Sequence, residues 1–132
     1  MALIKGLHHV AMKCSCQAEF EEEIRFYQDV LGLAVKRSWG KGADAGIMFD
    51  AGDGALIEIF AQGCACHETG SVNHYALGTD DVDAVVKAVR EAGYAVKTEP
   101  MDLTIPSEPP FPVRIAFVVG PCGEVIEIFK EC

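Results

Sequence analysis

Hydrophobic positions in this chain follow two rhythms, a strand-like one and a helical one, and the same succession of rhythms occurs twice. In the first half, the run 7–13 reads as a strand. Phe20, Ile24, Tyr27 and Leu31 then recur near 3.6 spacing, predicting an amphipathic helix over about 18–31 that Gly32 stops. Short apolar runs at 34–39, 45–50 and 55–61 predict three more strands, and Asp53-Gly54 marks a hairpin turn between the last two. The second half starts again with a strand at 73–78. A helix opens at Asp80, with Asp83 three residues on as a capping-box match, and carries Val82, Val85, Val86 and Val89 as its apolar stripe up to Gly93. Strands at 94–98, 113–119 and 124–129 follow, with Cys122-Gly123 at the matching turn.

The halves also agree residue by residue. "HVAMK" from His9 lies against "HYALG" from His74, "GLAVKR" from Gly32 against "GYAVKT" from Gly93, and "LIEIF" from Leu56 against "VIEIF" from Val125. Three blocks in the same order indicate an internal duplication, so the expected class is α+β, built from two βαβββ modules at about 1–66 and 70–132 of one domain. One stretch has no counterpart: 99–112 holds five of the six prolines and reads as a stiff irregular loop, either a binding loop or a plain crossover.

The repeat isolates an awkward choice. Each copy of "IEIF" places a glutamate, Glu58 or Glu127, inside an apolar run, where an uncompensated carboxylate is costly. Within a module, the helix crossover makes the first two strands parallel, and two tight turns leave the fourth strand parallel to the first. With first and fourth strands adjacent, His9 and Glu58 can share a face, as can His74 and Glu127. Successive strand residues point to opposite faces, so only one of His8 and His9 can do this, and the repeat selects His9. Leu56, Glu58 and Phe60 share one face; Val125, Glu127 and Phe129 share the matching one. Facing modules would then gather two imidazoles and two carboxylates, which balance a divalent cation and leave positions for substrate. The plainer alternative puts each glutamate on an exposed strand face and each histidine in a satisfied core position. For one residue that alternative is the better reading; for four at equivalent repeat positions the metal reading is.

Charge and composition narrow the partners. The net charge of −9 over 132 residues argues against nucleic acid, whose phosphates need a basic face. The acidic runs 19–23 and 80–83 read as solvated helix starts. No apolar run approaches the ~20 residues of a membrane span, and "MALIKGLHHV" lacks the apolar core and cleavage site of a signal peptide, so a cytoplasmic protein with no membrane partner is expected. Six cysteines are then expected as reduced thiols. Cys14 and Cys16 follow the first strand and Cys64 and Cys66 the fourth, so parallel strands could deliver both pairs to one end of the sheet for a second, thiolate-bound metal. The one-residue gap within each pair favours separate thiols instead. Cys122 and Cys132 have no evident role.

Taken together, "LHHVAMK", "FYQDVLGL", "LIEIF", "NHYALGTDDVDAVVKAVREAGY" and "VVGPCGEVIEIF" resemble the vicinal oxygen chelate superfamily, the glyoxalase/bleomycin-resistance/dioxygenase fold, over nearly the whole chain. The resemblance implies U-shaped mixed sheets. Within that superfamily a full His-Glu-His-Glu set is similar to glyoxalase I (lactoylglutathione lyase). It implies His9, Glu58, His74 and Glu127 as ligands of one divalent metal, nickel or cobalt by preference and zinc or manganese as alternatives. It further implies conversion of a 2-oxoaldehyde thiol hemithioacetal through a metal-chelated enediolate, with Glu127, or less readily Glu58, moving the proton. Lys13, Gln62, Phe60 and Phe129 would bind substrate. Lys13 stands where such enzymes usually carry arginine, and loses the bidentate fork; Gln62 stands where asparagine is usual. The segment "CSCQAEF" is longer than the family norm. These changes weaken glutathione as the thiol without touching the isomerase chemistry. The rival readings are a methylmalonyl-CoA epimerase-like enzyme and a non-catalytic small-molecule or antibiotic-binding member. A homodimer is expected, since isolated sheets of this kind leave apolar edges open.

Overall fold

The computed structural model describes residues 2–3, 5–64, 67 and 70–132. It divides into two compact units, Met1–Cys66 and His67–Cys132. The first contains β1 (His9–Lys13), α1 (Gln17–Ile24), β2 (Ala34–Trp39), β3 (Gly46–Asp50) and β4 (Leu56–Phe60). The second contains β5 (Tyr75–Gly78), α2 (Val82–Glu91), β6 (Val96–Ile105), β7 (Phe111–Val119) and β8 (Val125–Glu131). Each unit forms one mixed sheet, and the strand orders, β1-β4-β3-β2 and β5-β8-β7-β6, are the same pattern. β1 runs parallel to β4 and β5 parallel to β8, while the remaining neighbours are antiparallel, so the α+β duplication read from the sequence holds.

Each sheet buries one face beneath its helix. In the first unit Ile47, Phe49, Ile57 and Ile59 lie opposite the glutamate face and are buried with Phe20, Phe26 and Tyr27 of the helical segment. Tyr27 stacks on Phe49 with ring centroids 6.0 Å apart. In the second unit Ala116, Val118, Ile126 and Ile128 play that part, with Val82, Val86 and Val89 of α2. The hairpin signals hold too. Asp53 and Gly54 adopt φ of 51° and 83°, and the Ala55 N–H donates to the Gly52 carbonyl at 3.1 Å. At the matching turn Gly123 has φ 81° and its N–H donates to the Gly120 carbonyl at 2.9 Å.

Three local readings need correction. The stretch 99–112 is mostly strand, since β6 runs to Ile105 and β7 begins at Phe111. Its prolines are tolerated because β6 is a sheet edge with a register shift between Thr98 and Met101 that spans Pro100. Pro112 lies at the start of β7, where its carbonyl still accepts the Cys132 N–H at 3.0 Å.

The first helix is not uniform. After α1 it widens into a π-helical segment over Arg25–Val30, closed by the Leu31 N–H donating to the Phe26 carbonyl at 3.0 Å. The wider turn brings the neighbours Phe26 and Tyr27 both inside, and leaves Ile24 and Leu31 only half-buried. The acidic run is not wholly solvated either, because Glu23 is fully buried.

The cap of α2 is Asp81 rather than Asp80, with its carboxylate accepting the Ala84 N–H at 3.0 Å. Asp83 does not close a capping box. It accepts two hydrogen bonds from Arg114 at 2.8 Å each, and Arg114 also reaches Asp102 at 3.0 Å, tying α2 to β7 and β6. No helix among the described residues is long and apolar enough to cross a membrane.

Candidate metal centre

In the first unit the parallel β1/β4 register sets Ala11 against Glu58, so His9, Ala11 and Lys13 share a sheet face with Leu56, Glu58 and Phe60. His9 Nε2 lies 3.4 Å from Glu58 Oε1. The carboxylate is largely enclosed, its side chain 12% exposed, whereas the imidazole is more open. Glu58 therefore does not sit on an exposed strand face, as the plainer alternative required.

The second unit repeats the arrangement. The β5/β8 register sets Ala76 against Glu127, and His74, just before β5, brings Nε2 to 3.3 Å from Glu127 Oε1. Glu127 is 16% exposed, and the His74 ring meets Phe117 edge-on at 5.2 Å. Asn73 Oδ1 lies 2.7 Å from His74 Nδ1. A carbonyl oxygen can only accept, so Nδ1 is the donor in this hydrogen bond.

The equivalent position before His9 is His8, whose Nδ1 lies 2.9 Å from His9 Nδ1. Each imidazole of the pairs is thus backed at Nδ1 by the residue preceding it. The sequence reading missed this role for His8 and Asn73. The signal was present, because the repeat that aligns His9 with His74 also aligns these two hydrogen-bonding side chains.

Two ligand atoms each about 2.1 Å from a shared cation and subtending about 90–110° lie roughly 3.0–3.4 Å apart. The spacing within each pair matches that separation. The donors are one imidazole nitrogen and one carboxylate oxygen per pair, the set that suits divalent first-row metals. Each pair thus has the donor types and the spacing that ligands of a divalent cation have.

The expected substrate residues are distributed unevenly. Lys13 places Nζ 6.0 Å from the Phe60 ring centroid. Gln62 is exposed just beyond β4. Phe129 packs against Phe111 at 6.0 Å. Trp39, which the sequence reading did not single out for function, meets Phe60 at 6.1 Å on the same face as Glu58.

The strand geometry does bring the starts of both cysteine pairs to one end of the first sheet, where the Cys64 N–H donates to the Cys14 carbonyl at 3.3 Å. Cys14 is buried, Cys64 half-buried and Cys16 exposed. Among the described residues these three do not form a group with ligand atoms within 4.8 Å of one another, and Cys66 lies outside the described residues.

Comparison with known proteins places the chain in a family. A lactoylglutathione lyase from Haemophilus influenzae is 33% identical over 120 residues, covering 86% of this chain and 85% of the relative. The structure of the trypanothione-dependent glyoxalase I of Leishmania major matches with a TM-score of 0.70 at 23% identity, over 96% of this chain and 87% of that one. An antibiotic-binding protein from a Streptomyces species shares the fold with a TM-score of 0.68 at 18% identity, over 100% of both chains. The family model that matches residues 6–128 has both His–Glu pairs within its span, and the chain belongs to the glyoxalase/bleomycin resistance protein/dioxygenase superfamily.

Proposed function

We propose that this protein is a glyoxalase I-type lyase that isomerises the hemithioacetal of a 2-oxoaldehyde and a thiol to the thioester of a 2-hydroxy acid. The observation that carries the reading is the recurrence of one His–Glu pair in each module, at 3.4 and 3.3 Å, on equivalent strands. His9, Glu58, His74 and Glu127 hold one divalent metal in this reading, nickel or cobalt by preference, with zinc or manganese also compatible. Bound there, the cation supplies Lewis-acid stabilisation of the negative charge that develops on two adjacent substrate oxygens.

The chain's own residues move the proton. Glu127 Oε takes the hydrogen from the carbon that bears the hydroxyl and the sulfur, then returns a proton to the neighbouring carbonyl carbon. The hydroxyl proton passes to the former carbonyl oxygen. One C–H bond breaks and one forms, so atoms and electrons balance without an external oxidant. Enclosure of Glu127 supports this role, since a largely enclosed carboxylate leaves bulk water little access to the proton it carries. His74, fixed by Asn73, holds its imidazole beside that carboxylate. Lys13 offers a single positive charge to the non-reacting end of the substrate.

The relatives named as lactoylglutathione lyases favour this reaction over acyl-CoA epimerisation and over ligand sequestration. Metal content after nickel loading, together with thioester formation from methylglyoxal and a panel of thiols, tests it. One metal per chain, lost in His74→Ala, and turnover lost in Glu127→Gln while substrate still binds, are the expected results. Absence of any specific metal after loading, or near wild-type turnover in Glu127→Gln, would refute it.

A further inference from the structure

The row of residues next to Glu58 differs between the two modules in a way that metal binding does not require. In the first sheet, direct strand pairing runs Lys13–Phe60–Gly46–Trp39 across all four strands, on the same face as Glu58. Phe60 stands two residues beyond Glu58, about 7 Å along the strand. In the second sheet the corresponding row is Gly78–Phe129–Ile115–Met101. The cation and the indole belong to the first module alone.

Gly46 is what shapes the row. A Cβ built on it would lie 2.2 Å and 2.3 Å from Trp39 ring carbons and 2.6 Å from the indole nitrogen. The missing side chain lets Trp39, from the edge strand β2, fold inward across β3 and reach Phe60 at 6.1 Å with an interplanar angle of 68°. Lys13 closes the other side, with Nζ 6.0 Å from the same phenyl ring. Trp39 and Lys13 both remain exposed to solvent. Two rings and one ammonium lie in a line, beside the carboxylate of the candidate centre.

We infer that Trp39, Phe60 and Lys13 form a specificity platform that takes a planar aromatic group bearing one anionic substituent. The indole and phenyl, inclined at 68°, offer a ring face flanked by a ring edge, and the ammonium pairs with the acid. A flexible peptide thiol would use little of the aromatic surface, and within this row Lys13 is the one cation, Arg37 lying in the neighbouring row of Glu58. The inference deepens the lyase reading and rests on it for which end of the substrate reacts: the aryl acid is the non-reacting end.

Binding to metal-free protein tests the platform independently of turnover. Trp39 is the only tryptophan in the chain, so its emission reports directly on the site. The probe is 2-naphthoate, with cyclohexanecarboxylate as an anion that cannot stack and 2-naphthol as an aromatic without the charge. Saturable quenching by 2-naphthoate, and weaker binding of both controls, are expected. Gly46→Ala, whose methyl displaces the indole, should weaken 2-naphthoate about tenfold. Lys13→Met should weaken it about fivefold. Trp39→Ala, at an exposed edge and measured by calorimetry, covers the case in which Gly46→Ala perturbs β3. Equal 2-naphthoate affinity in Trp39→Ala and wild type, or no saturable binding at all, overturns the platform. Lost naphthoate binding with hemithioacetal turnover intact refutes the platform alone; absent turnover with naphthoate binding intact refutes the lyase reading alone.

Discussion

Removing the amide beneath His74 isolates the contribution of its orientation to metal affinity. Asn73→Ala deletes the oxygen that accepts the Nδ1 proton at 2.7 Å, while leaving both His74 and Glu127 in the sequence. A neutral hydrogen bond of this kind contributes about 0.5–1.5 kcal/mol net, with the low half applying where the donor ring is partly solvated, as His74 is. At about 1.4 kcal/mol per factor of ten, that loss corresponds to a roughly two- to fivefold weaker site. Outer-shell partners of metal-binding histidines set the upper range, at about 10–100-fold. We therefore expect nickel affinity to fall by about fivefold to tenfold in Asn73→Ala. Competition against a chelator at fixed pH measures it, and nitrogen-resolved spectra of the imidazole report the tautomer separately. Asn73→Asp should restore the affinity, because a carboxylate accepts the same proton. Nickel affinity within about twofold of wild type in Asn73→Ala, with His74 still protonated at Nδ1, would refute the argument that Asn73 fixes the ring.

Two further outcomes follow from packing and charge. Ile128→Ala, at a β8 position 1% exposed on the helix face, should cost about 2–5 kcal/mol in denaturant unfolding, while Glu131→Ala on the exposed end of the same strand should stay within about 0.5 kcal/mol. Asp83→Asn should matter only where the carboxylate is charged. The two hydrogen bonds from Arg114 hold Asp83 below its ordinary value of 3.8, so the folded state binds the proton less readily than the unfolded chain. That stabilisation is complete above the ordinary value and is lost as pH falls through the lower folded value. Urea midpoints of wild type and Asp83→Asn should therefore differ by a constant amount near neutrality and converge in the acid range. A pH-independent difference would disprove the linkage.

How much of this was legible beforehand depends on which physics carried the signal. The His9–Glu58 and His74–Glu127 pairs were readable because strand parity and duplication act together: one fixes the face and the other fixes the partner. The helix stripes were readable for Val82, Val86 and Val89, which obey a regular period. Phe26 was not, because the π-helical segment changes the period inside a single helix and no local residue announces it. The prolines of 99–112 misled for a different reason. Proline forbids a ladder hydrogen bond only where the ladder needs one, and a chain read in isolation does not say which strand ends at a sheet edge. Trp39 escaped notice because its reach depends on Gly46, its partner across a strand pairing that spacing along the chain does not reveal.

The π-helical turn also has an evolutionary consequence. An extra residue in a regular helix would rotate everything after it by about 100° and turn a buried face outward. A π turn absorbs that residue locally, at the cost of one wide loop of backbone. Phe20 upstream and the chain entering β2 downstream then keep their places while the segment between them lengthens. The helix of the second module is regular over its whole length. A one-residue insertion in the first helix is thereby accommodated without rotating the faces on either side of it.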